Sequence, residues 1–136
     1  MAGNAKSVVL DWKGGLVFEG GEAGGPSAVV DATNDRAPGP MLQVLMALVA
    51  CTGSDVVSIL EKMKVDLETC RIEARGVRRE EHPRRYLTIH LDYHVKGGGL
   101  DETKARRAID LSLEKYCSVT HSLRLDEPVS YELHLG

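Results

Sequence analysis

The hydrophobic pattern of this chain changes along its length between a period of two and a helical period. Near the start, SVVLDWKGGLVFEGG predicts two short strands, Val8–Trp12 and Leu16–Glu19. They are joined through Gly14–Gly15, because a glycine pair tolerates the positive φ of a tight hairpin. A third strand, Ser27–Asp31, precedes the irregular loop DATNDRAPGP. Pro40 ends that loop and suits the first turn of a helix, where its missing N–H costs nothing.

From Met41 to Lys64 the apolar spacing is helical. Six residues form one stripe and two more widen it: Leu42, Leu45, Val49, Val56, Leu60 and Met63, with Val44 and Leu48. A helix of this extent is about 36 Å long. A helix that is apolar around most of its girth lies at the centre of a domain or packs against a second chain. Because 136 residues leave little material to cover it on every side, the pattern predicts a dimer.

Alternation returns after this helix. An apolar series, Leu87, Ile89, Leu91, Tyr93 and Val95, alternates with Tyr86, Thr88, His90, Asp92 and His94. The alternation predicts a half-buried strand, paired with TCRIEARGVRRE. Asp101 is the predicted N-cap of a second helix that ends at Cys117, and a last strand follows. The order β β β α β β α β segregates the helices, so we expect an α+β fold in one domain over residues 1–136.

Charge and composition disfavour several classes of partner. The net charge is −3, whereas binding to phosphate backbones requires a basic face. The N-terminus lacks the layout of a secretory signal, and the apolar run Met41–Ala50 is shorter than the about 20 residues of a membrane helix. We therefore expect no nucleic acid and no membrane partner. Three cysteines, an odd number, do not suggest a disulfide scaffold, and the cytoplasm is the expected location.

The middle of the long helix carries the unusual segment ACTGSD inside its apolar run. Ala50, Gly53 and Ser54 are small, so another backbone can approach closely there. Cys51 and Asp55 are four residues apart and share a face. A lone helical cysteine is usually a small buried hydrophobe. Cys117 supplies a second thiol at the end of the other helix, and packing of the two helices would bring both sulfurs together.

Three segments of the chain resemble a known family. GPMLQVLMALVACTGSDVVSILEKMK is similar to the central helix of OsmC-like proteins (osmotically inducible protein C and the organic hydroperoxide resistance, or Ohr, proteins), in the branch that reads ACTxxDVVxIL. LSLEKYCSVTHSL resembles the second cysteine motif of that family, and the N-terminal WKGGLVFEG matches as well. The resemblance covers nearly the whole chain. It implies an OsmC-like fold with antiparallel sheets, a long central helix and a second helix, in an intertwined homodimer.

The resemblance also implies a thiol-dependent peroxidase in oxidative and osmotic stress defence. Cys51 matches the cysteine that attacks the O–O bond of an organic hydroperoxide as a thiolate and becomes a sulfenic acid. Cys117 matches the second cysteine, which forms a disulfide with the first. An external dithiol reduces that disulfide, and a lipoyl-type dithiol, thioredoxin and glutathione all stay open as the reductant. A nearby resolving thiol prevents irreversible over-oxidation. The resemblance implies neither a cofactor nor a metal.

The chain departs from the family pattern in the groups that would activate the thiol. Family peroxidases hold the thiolate with an arginine and pair that arginine with a glutamate early in the helix. Met41 occupies the glutamate position here. Arg36, in the loop before the helix, is the candidate arginine, and an exposed loop arginine is the alternative. Asp55 could anchor an arginine, but unpaired it would raise the pKa of the thiol.

Two other interpretations of the cysteines stay open. Cys51, Cys117 and His121 could form part of a zinc or iron site, although zinc usually takes four ligands. A dimeric domain that binds a small apolar ligand, with cysteines that only pack, is the non-enzymatic alternative. The remaining candidates are assigned to packing or to the surface: Cys70, His82, His90, His94, His134 and Trp12.

Overall fold

A computed structural model describes residues 2–136 of the chain, which fall into two compact units. One unit ends at Val44, and the other spans Leu45–Gly136. Met1, the first residue of the predicted single domain, lies outside the described residues. The assignment of one domain to residues 1–136 stays a prediction.

The first unit contains a three-stranded antiparallel sheet. Its strands, in spatial order, are β1 (Val9–Trp12), β2 (Val17–Gly21) and β3 (Ala28–Asp31), after a 3-10 turn at Ala2–Asn4. The predicted turn at the glycine pair is confirmed. Gly14 and Gly15 have φ values of 101° and 56°, a region that only glycine enters at little cost.

The loop after β3 is organised around one carboxylate. The buried Asp31 side chain accepts hydrogen bonds from the N–H groups of Arg36 and Thr33 and from the Thr33 hydroxyl, at 2.7 to 2.9 Å. These bonds lower the pKa of Asp31 to about 2, because each one favours the charged form. The hydrogen bond from the Arg36 backbone N–H to Asp31 therefore fixes the path of the loop at Arg36.

The long helix α1 spans Pro40–Lys62, 23 residues. Pro40 opens it, in agreement with the first-turn position predicted for this proline, and the helix ends two residues before the predicted Lys64. Its fully buried residues follow a four-residue spacing: Leu48, Thr52, Val56 and Leu60. By length and composition α1 meets the criterion for a membrane-spanning helix, which the core helix of a water-soluble protein also meets.

The second unit contains a mixed three-stranded sheet. Its strands are β4 (Asp66–Arg78), β5 (Tyr86–Gly98) and β6 (Ser130–Leu135). Between β5 and β6 the chain passes through α2 (Glu102–Leu111), a π-helical turn (Ser112–Tyr116) and α3 (Ser118–Ser122). The predicted N-cap is confirmed, since the Asp101 side chain accepts a hydrogen bond from the Lys104 N–H at 2.8 Å.

The α+β class is confirmed, and the predicted element order holds except around the second helix. This helix ends at Leu111 rather than at Cys117, and the short helix α3 follows it. The sheets need one further correction. The expectation of antiparallel sheets holds for β1–β2, β2–β3 and β4–β5, and it is wrong for β5–β6, which are parallel. The physical reason is the helical connection. A parallel pair needs a crossover of a dozen or more residues, and the segment from α2 to α3 supplies it.

The alternation of β5 is observed as predicted, except at its first residue. Ile89, Leu91, Tyr93 and Val95 are buried. Tyr86 was expected on the outward face but is only 6% exposed, because its ring lies over Gly76 of the neighbouring strand. A Cβ added at Gly76 would lie 2.5 Å from that ring, so the absence of a side chain there makes room for Tyr86.

A chain of hydroxyl groups crosses the core of the second unit. The Thr52 hydroxyl lies 2.7 Å from the Tyr93 hydroxyl and 2.7 Å from that of Ser112, and Ser112 donates to the Asp55 carboxylate at 2.9 Å. A carboxylate only accepts and each hydroxyl has one proton, so the direction is set. Tyr93 donates to Thr52, Thr52 to Ser112, and Ser112 to Asp55. This hydroxyl chain joins β5, α1 and the π-helical turn.

The hydroxyl chain predicts an asymmetry between two threonine substitutions. Thr52→Val keeps the shape of the side chain but leaves the buried Tyr93 donor without its acceptor, so we expect a loss of about 1–3 kcal/mol in the free energy of unfolding. Thr69→Val, on the exposed face of β4, serves as the control and should change it by less than about 0.5 kcal/mol. Urea unfolding of the two variants measures the difference. Equal midpoints would show that the hydroxyl chain contributes nothing to stability.

Candidate functional site

The two predicted reactive cysteines, Cys51 and Cys117, lie together in the second unit. Cys51 is in the middle of α1, and Cys117 is the N-cap residue of α3. The sulfurs of Cys51 and Cys117 and a carboxylate oxygen of Asp55 all lie within 4.8 Å of one another. All three cysteines of the chain are free thiols. The structure therefore brings together two sulfurs that are remote in sequence.

Cys117 is held by the turn that precedes it. At the end of the π-helical turn, the backbone N–H of Cys117 donates to the Ser112 carbonyl, with 2.7 Å between N and O. Ser112 also belongs to the hydroxyl chain, so this one residue links the hydroxyl chain to the position of Cys117. The Cys117 side chain is fully buried, and burial raises the pKa of its thiol. Cys51 raises the pKa of Cys117 further, because the protonated Cys117 thiol can donate a hydrogen bond to the Cys51 sulfur and a second negative charge beside that sulfur is unfavourable.

Thr120 supplies two donors on the other side of the Cys117 sulfur. Its backbone N–H donates to that sulfur at 3.5 Å. Its hydroxyl oxygen is buried and, over residues 2–136, is the one buried side-chain N or O atom without a hydrogen-bond partner. Both groups lower the pKa of Cys117 and so oppose the effect of burial. A thiolate at Cys117 would give the Thr120 hydroxyl a partner.

Cys51 is more accessible than Cys117, since it is half-buried. The small residues beside it on α1 serve two purposes. Gly53 allows β4 to approach, because a Cβ there would lie 3.3 Å from the Ile72 Cδ1 atom. Ala50 and Ser54 are exposed and line an open groove of about 530 Å³, which we call the α1 groove. Its lining residues are Val49, Ala50, Gly53, Ser54, Val57, Ser58, Glu61, Cys70 and Ile72.

Arg36 and Met41 belong to the first unit, whereas the cysteines belong to the second. Arg36 is exposed in the Asp31 loop. Met41 is half-buried in the first turn of α1. The activating role assigned to Arg36 from sequence therefore stays a prediction.

A metal ion could be held by the cysteine pair together with Asp55, and the donor set differs from the expected one. The sequence suggested Cys51, Cys117 and His121. Within the described part of the chain, the cluster contains Asp55 instead, and the Nε2 atom of His121 lies 3.1 Å from the Leu113 carbonyl. Two thiolates and one carboxylate are three donors, one fewer than structural zinc sites use.

Sequence reasoning missed three groups that build this site. Thr52, Ser112 and Thr120 are single polar residues in helical segments, and the sequence does not show which distant group a lone hydroxyl contacts. One signal was available for Thr52. It continues the four-residue spacing of Leu48, Val56 and Leu60, which places it on the buried face of α1.

Comparison with known proteins gives the same family as the two cysteine motifs. The family model described as OsmC-like protein matches residues 32–132. Protein YhfA of Escherichia coli strain K12 is 43% identical over 129 residues, which cover 91% of this chain and 95% of YhfA.

Solved structures show the same fold at low sequence identity. An OsmC-like protein from Mycoplasma pneumoniae superposes with a TM-score of 0.81 at 14% identity, over 97% of each chain. The organic hydroperoxide resistance protein OhrB of Bacillus subtilis superposes with a TM-score of 0.58 at 16% identity, over 97% of this chain and 98% of OhrB. With its family match, its two cysteine motifs and this fold, the chain belongs to the OsmC-like protein family.

Proposed function

We propose that this protein is a thiol-dependent peroxidase that reduces organic hydroperoxides in oxidative and osmotic stress defence. The observation that carries the proposal is the sulfur pair: Cys51 and Cys117 within 4.8 Å, one half-buried and one fully buried. The names of solved relatives support the substrate class, since OhrB of Bacillus subtilis is an organic hydroperoxide resistance protein. An external dithiol is the proposed reductant.

The proposed reaction has two steps at the sulfurs. The Cys51 thiolate attacks one oxygen of the hydroperoxide, the O–O bond breaks, and the alkoxide takes a proton and leaves as an alcohol. Cys51 is then a sulfenic acid. The Cys117 sulfur attacks it, a sulfur–sulfur bond forms, and hydroxide leaves with the Cys117 proton as water. An external dithiol reduces the disulfide by thiol exchange and is itself oxidised.

Burial supports this assignment of roles. A hydroperoxide must reach the attacking sulfur, and Cys51 is the more exposed of the two. Burial raises the pKa of Cys117, so that this residue remains a thiol that can donate a hydrogen bond to a Cys51 thiolate. During reduction of the disulfide Cys117 must leave as a thiolate, and the two donors of Thr120 would then stabilise it.

Asp55 places a carboxylate beside the sulfur pair. One of its oxygens lies within 4.8 Å of both sulfurs, and the group accepts a hydrogen bond from the Ser112 hydroxyl, so it would oppose the formation of a thiolate there. We propose Arg36 as the compensating cation, in the absence of the family glutamate at Met41. The Asp31 loop supports this role, because it fixes the backbone of Arg36 and leaves the guanidinium exposed.

Peroxidase activity tests the assignment of the three cysteines. The measurement is consumption of cumene hydroperoxide with a dithiol. We expect Cys51→Ser to fall to the rate without protein, because the nucleophile is lost. Cys117→Ser should support one turnover and then accumulate over-oxidised Cys51, because no thiol resolves the sulfenic acid. Cys70→Ser, the matched control, should keep the wild-type rate.

Equal rates for Cys51→Ser and wild type would contradict the proposal and favour the non-catalytic, ligand-binding alternative.

The same assay tests Arg36 through the variant Arg36→Gln. At neutral pH its rate should fall about tenfold, because the attacking thiolate loses its compensating cation, and it should recover as the pH rises. Arg107→Gln, which removes an exposed arginine of α2, should keep the wild-type pH profile. An unchanged profile in Arg36→Gln would exclude Arg36 from the site.

We also propose that the protein works as a homodimer. Apolar side chains are exposed in both units, among them Trp12 (66%), which sequence reasoning assigned to packing, and Met46 (52%). The α1 groove adds a small-residue surface on which a second helix could pack closely. A second copy covering α1 would also explain the long apolar segment in a protein proposed to be cytoplasmic.

Sedimentation tests the dimer with two matched serine substitutions. Wild type should sediment at twice its chain mass of 14.8 kDa. Ser54 and Ser122 each donate to the carbonyl four residues earlier, at 2.7 and 2.8 Å, but only Ser54 lines the α1 groove. Ser54→Glu should therefore shift the protein toward monomer, and Ser122→Glu should not. A wild-type monomer would refute the proposal.

A further inference from the structure

The outward face of the second sheet carries an ordered array of histidines and carboxylates. Three residues of each strand lie side by side: Arg75, Glu73 and Arg71 on β4; His90, Asp92 and His94 on β5; Ser130, Glu132 and His134 on β6. The middle row places the carboxylates of Glu73, Asp92 and Glu132 in neighbouring positions. Like charges opposite one another destabilise a sheet unless a cation lies among them. We call this array the histidine–carboxylate face.

Of the three carboxylates, Glu73 lies beside a permanent cation. It lies 3.6 Å from the Arg71 guanidinium and 3.3 Å from the His94 imidazole. Asp92 and Glu132 instead face His90 and His134. The donor atoms of His90, Asp92 and Glu132 all lie within 4.8 Å of one another.

We propose that His90, Asp92 and Glu132 bind a divalent transition-metal ion of the zinc class. Zinc takes imidazole and carboxylate ligands at about 2.0–2.2 Å, which puts two donors of a tetrahedron about 3.4 Å apart. The His90 Nε2 and Asp92 Oδ2 atoms are 3.7 Å apart, so small side-chain rotations are enough. Glu132 is two-thirds exposed, which leaves the ion a path from solvent and lets a water supply the fourth ligand.

The groups around these three ligands are arranged as the outer partners of a metal site. The His90 Nδ1 atom lies 2.8 Å from the Ser130 hydroxyl, and a proton donated there leaves Nε2, on the Asp92 side, free to bind a metal. The His134 Nε2 atom lies 2.8 Å from Asp92 Oδ1, which orients Oδ2 toward His90. Partners of this kind fix the tautomer and orientation of metal ligands.

His94 completes the support of this face. Its ring stacks on that of His134 at 4.5 Å between centroids and 14° between planes, so His134 is held in the position from which it contacts Asp92. The imidazole donor of His90 favours a transition metal over magnesium, since magnesium prefers oxygen ligands and keeps several waters. The site is separate from the sulfur pair and independent of the proposed peroxidase activity.

Titration calorimetry of the untagged 136-residue protein with zinc chloride tests the proposal. The protein used carries the two substitutions Cys51→Ser and Cys117→Ser, so that zinc bound by the sulfur pair does not contribute. We expect one zinc ion per chain on this face. His90→Ala should abolish binding, and Ser130→Ala should weaken it about 10–100-fold, because an outer partner of the ligand is lost. His82→Ala, which removes an exposed histidine in the β4–β5 turn, should leave it unchanged.

Three results would overturn the proposal. The first is that the parent protein binds no zinc, and the second is that His90→Ala binds zinc as well as the parent does. The third is displacement of zinc by an equal concentration of magnesium chloride, which would identify a nonspecific carboxylate cluster. Because the sulfur pair is absent from the test protein, none of these results depends on whether the protein is a peroxidase.

Discussion

The arrangement of the site depends on the hydroxyl chain that runs from Tyr93 through Thr52 and Ser112 to Asp55. It joins a buried strand, the long helix and the turn before the second cysteine. Tyr93 only donates, Thr52 and Ser112 each accept one hydrogen bond and donate one, and the carboxylate at the end fixes the direction of all three hydrogen bonds. Buried polar groups that lose a partner cost more than they contribute when paired. The hydroxyl chain therefore holds α1 against the π-helical turn in one relative position.

That position is what brings the two sulfurs together. The Ser112 hydroxyl donates a hydrogen bond to Asp55, and the Ser112 carbonyl accepts one from the backbone N–H of Cys117. Asp55 lies one helical turn after Cys51 on the same face of α1. The polar segment ACTGSD thus has a physical explanation. It supplies a thiol, the hydroxyl and carboxylate that align the opposite turn, and a glycine where β4 passes close to the helix.

The sequence predicted the elements and the cysteine pair because both have strong signals. The helix and β5 follow clear periods, Gly14 and Gly15 fit a tight turn, and the two cysteine motifs have the family's order and separation. The parallel pairing of β6 was missed, because strand direction depends on how the connecting helices pack rather than on the strand's own residues. Tyr86 was misplaced because its burial depends on the space left by Gly76, ten residues earlier.

The side chains that tune the site were less predictable than its sulfurs. Thr52, Ser112 and Thr120 act through single hydrogen bonds across distant segments, and no local pattern encodes such contacts. The histidine–carboxylate face was read as three separate surface histidines. Only the register of β4, β5 and β6 places their side chains beside Asp92 and Glu132.

The most direct test of the central claim is to oxidise the reduced protein with one equivalent of cumene hydroperoxide and map the cysteines by mass spectrometry. If the sulfurs of Cys51 and Cys117 lie within reach of each other, each chain should lose two hydrogens and yield a single Cys51–Cys117 disulfide, with Cys70 unchanged. A sulfenic or sulfinic acid at Cys51 beside a free Cys117 thiol, or a disulfide that includes Cys70, would contradict the account.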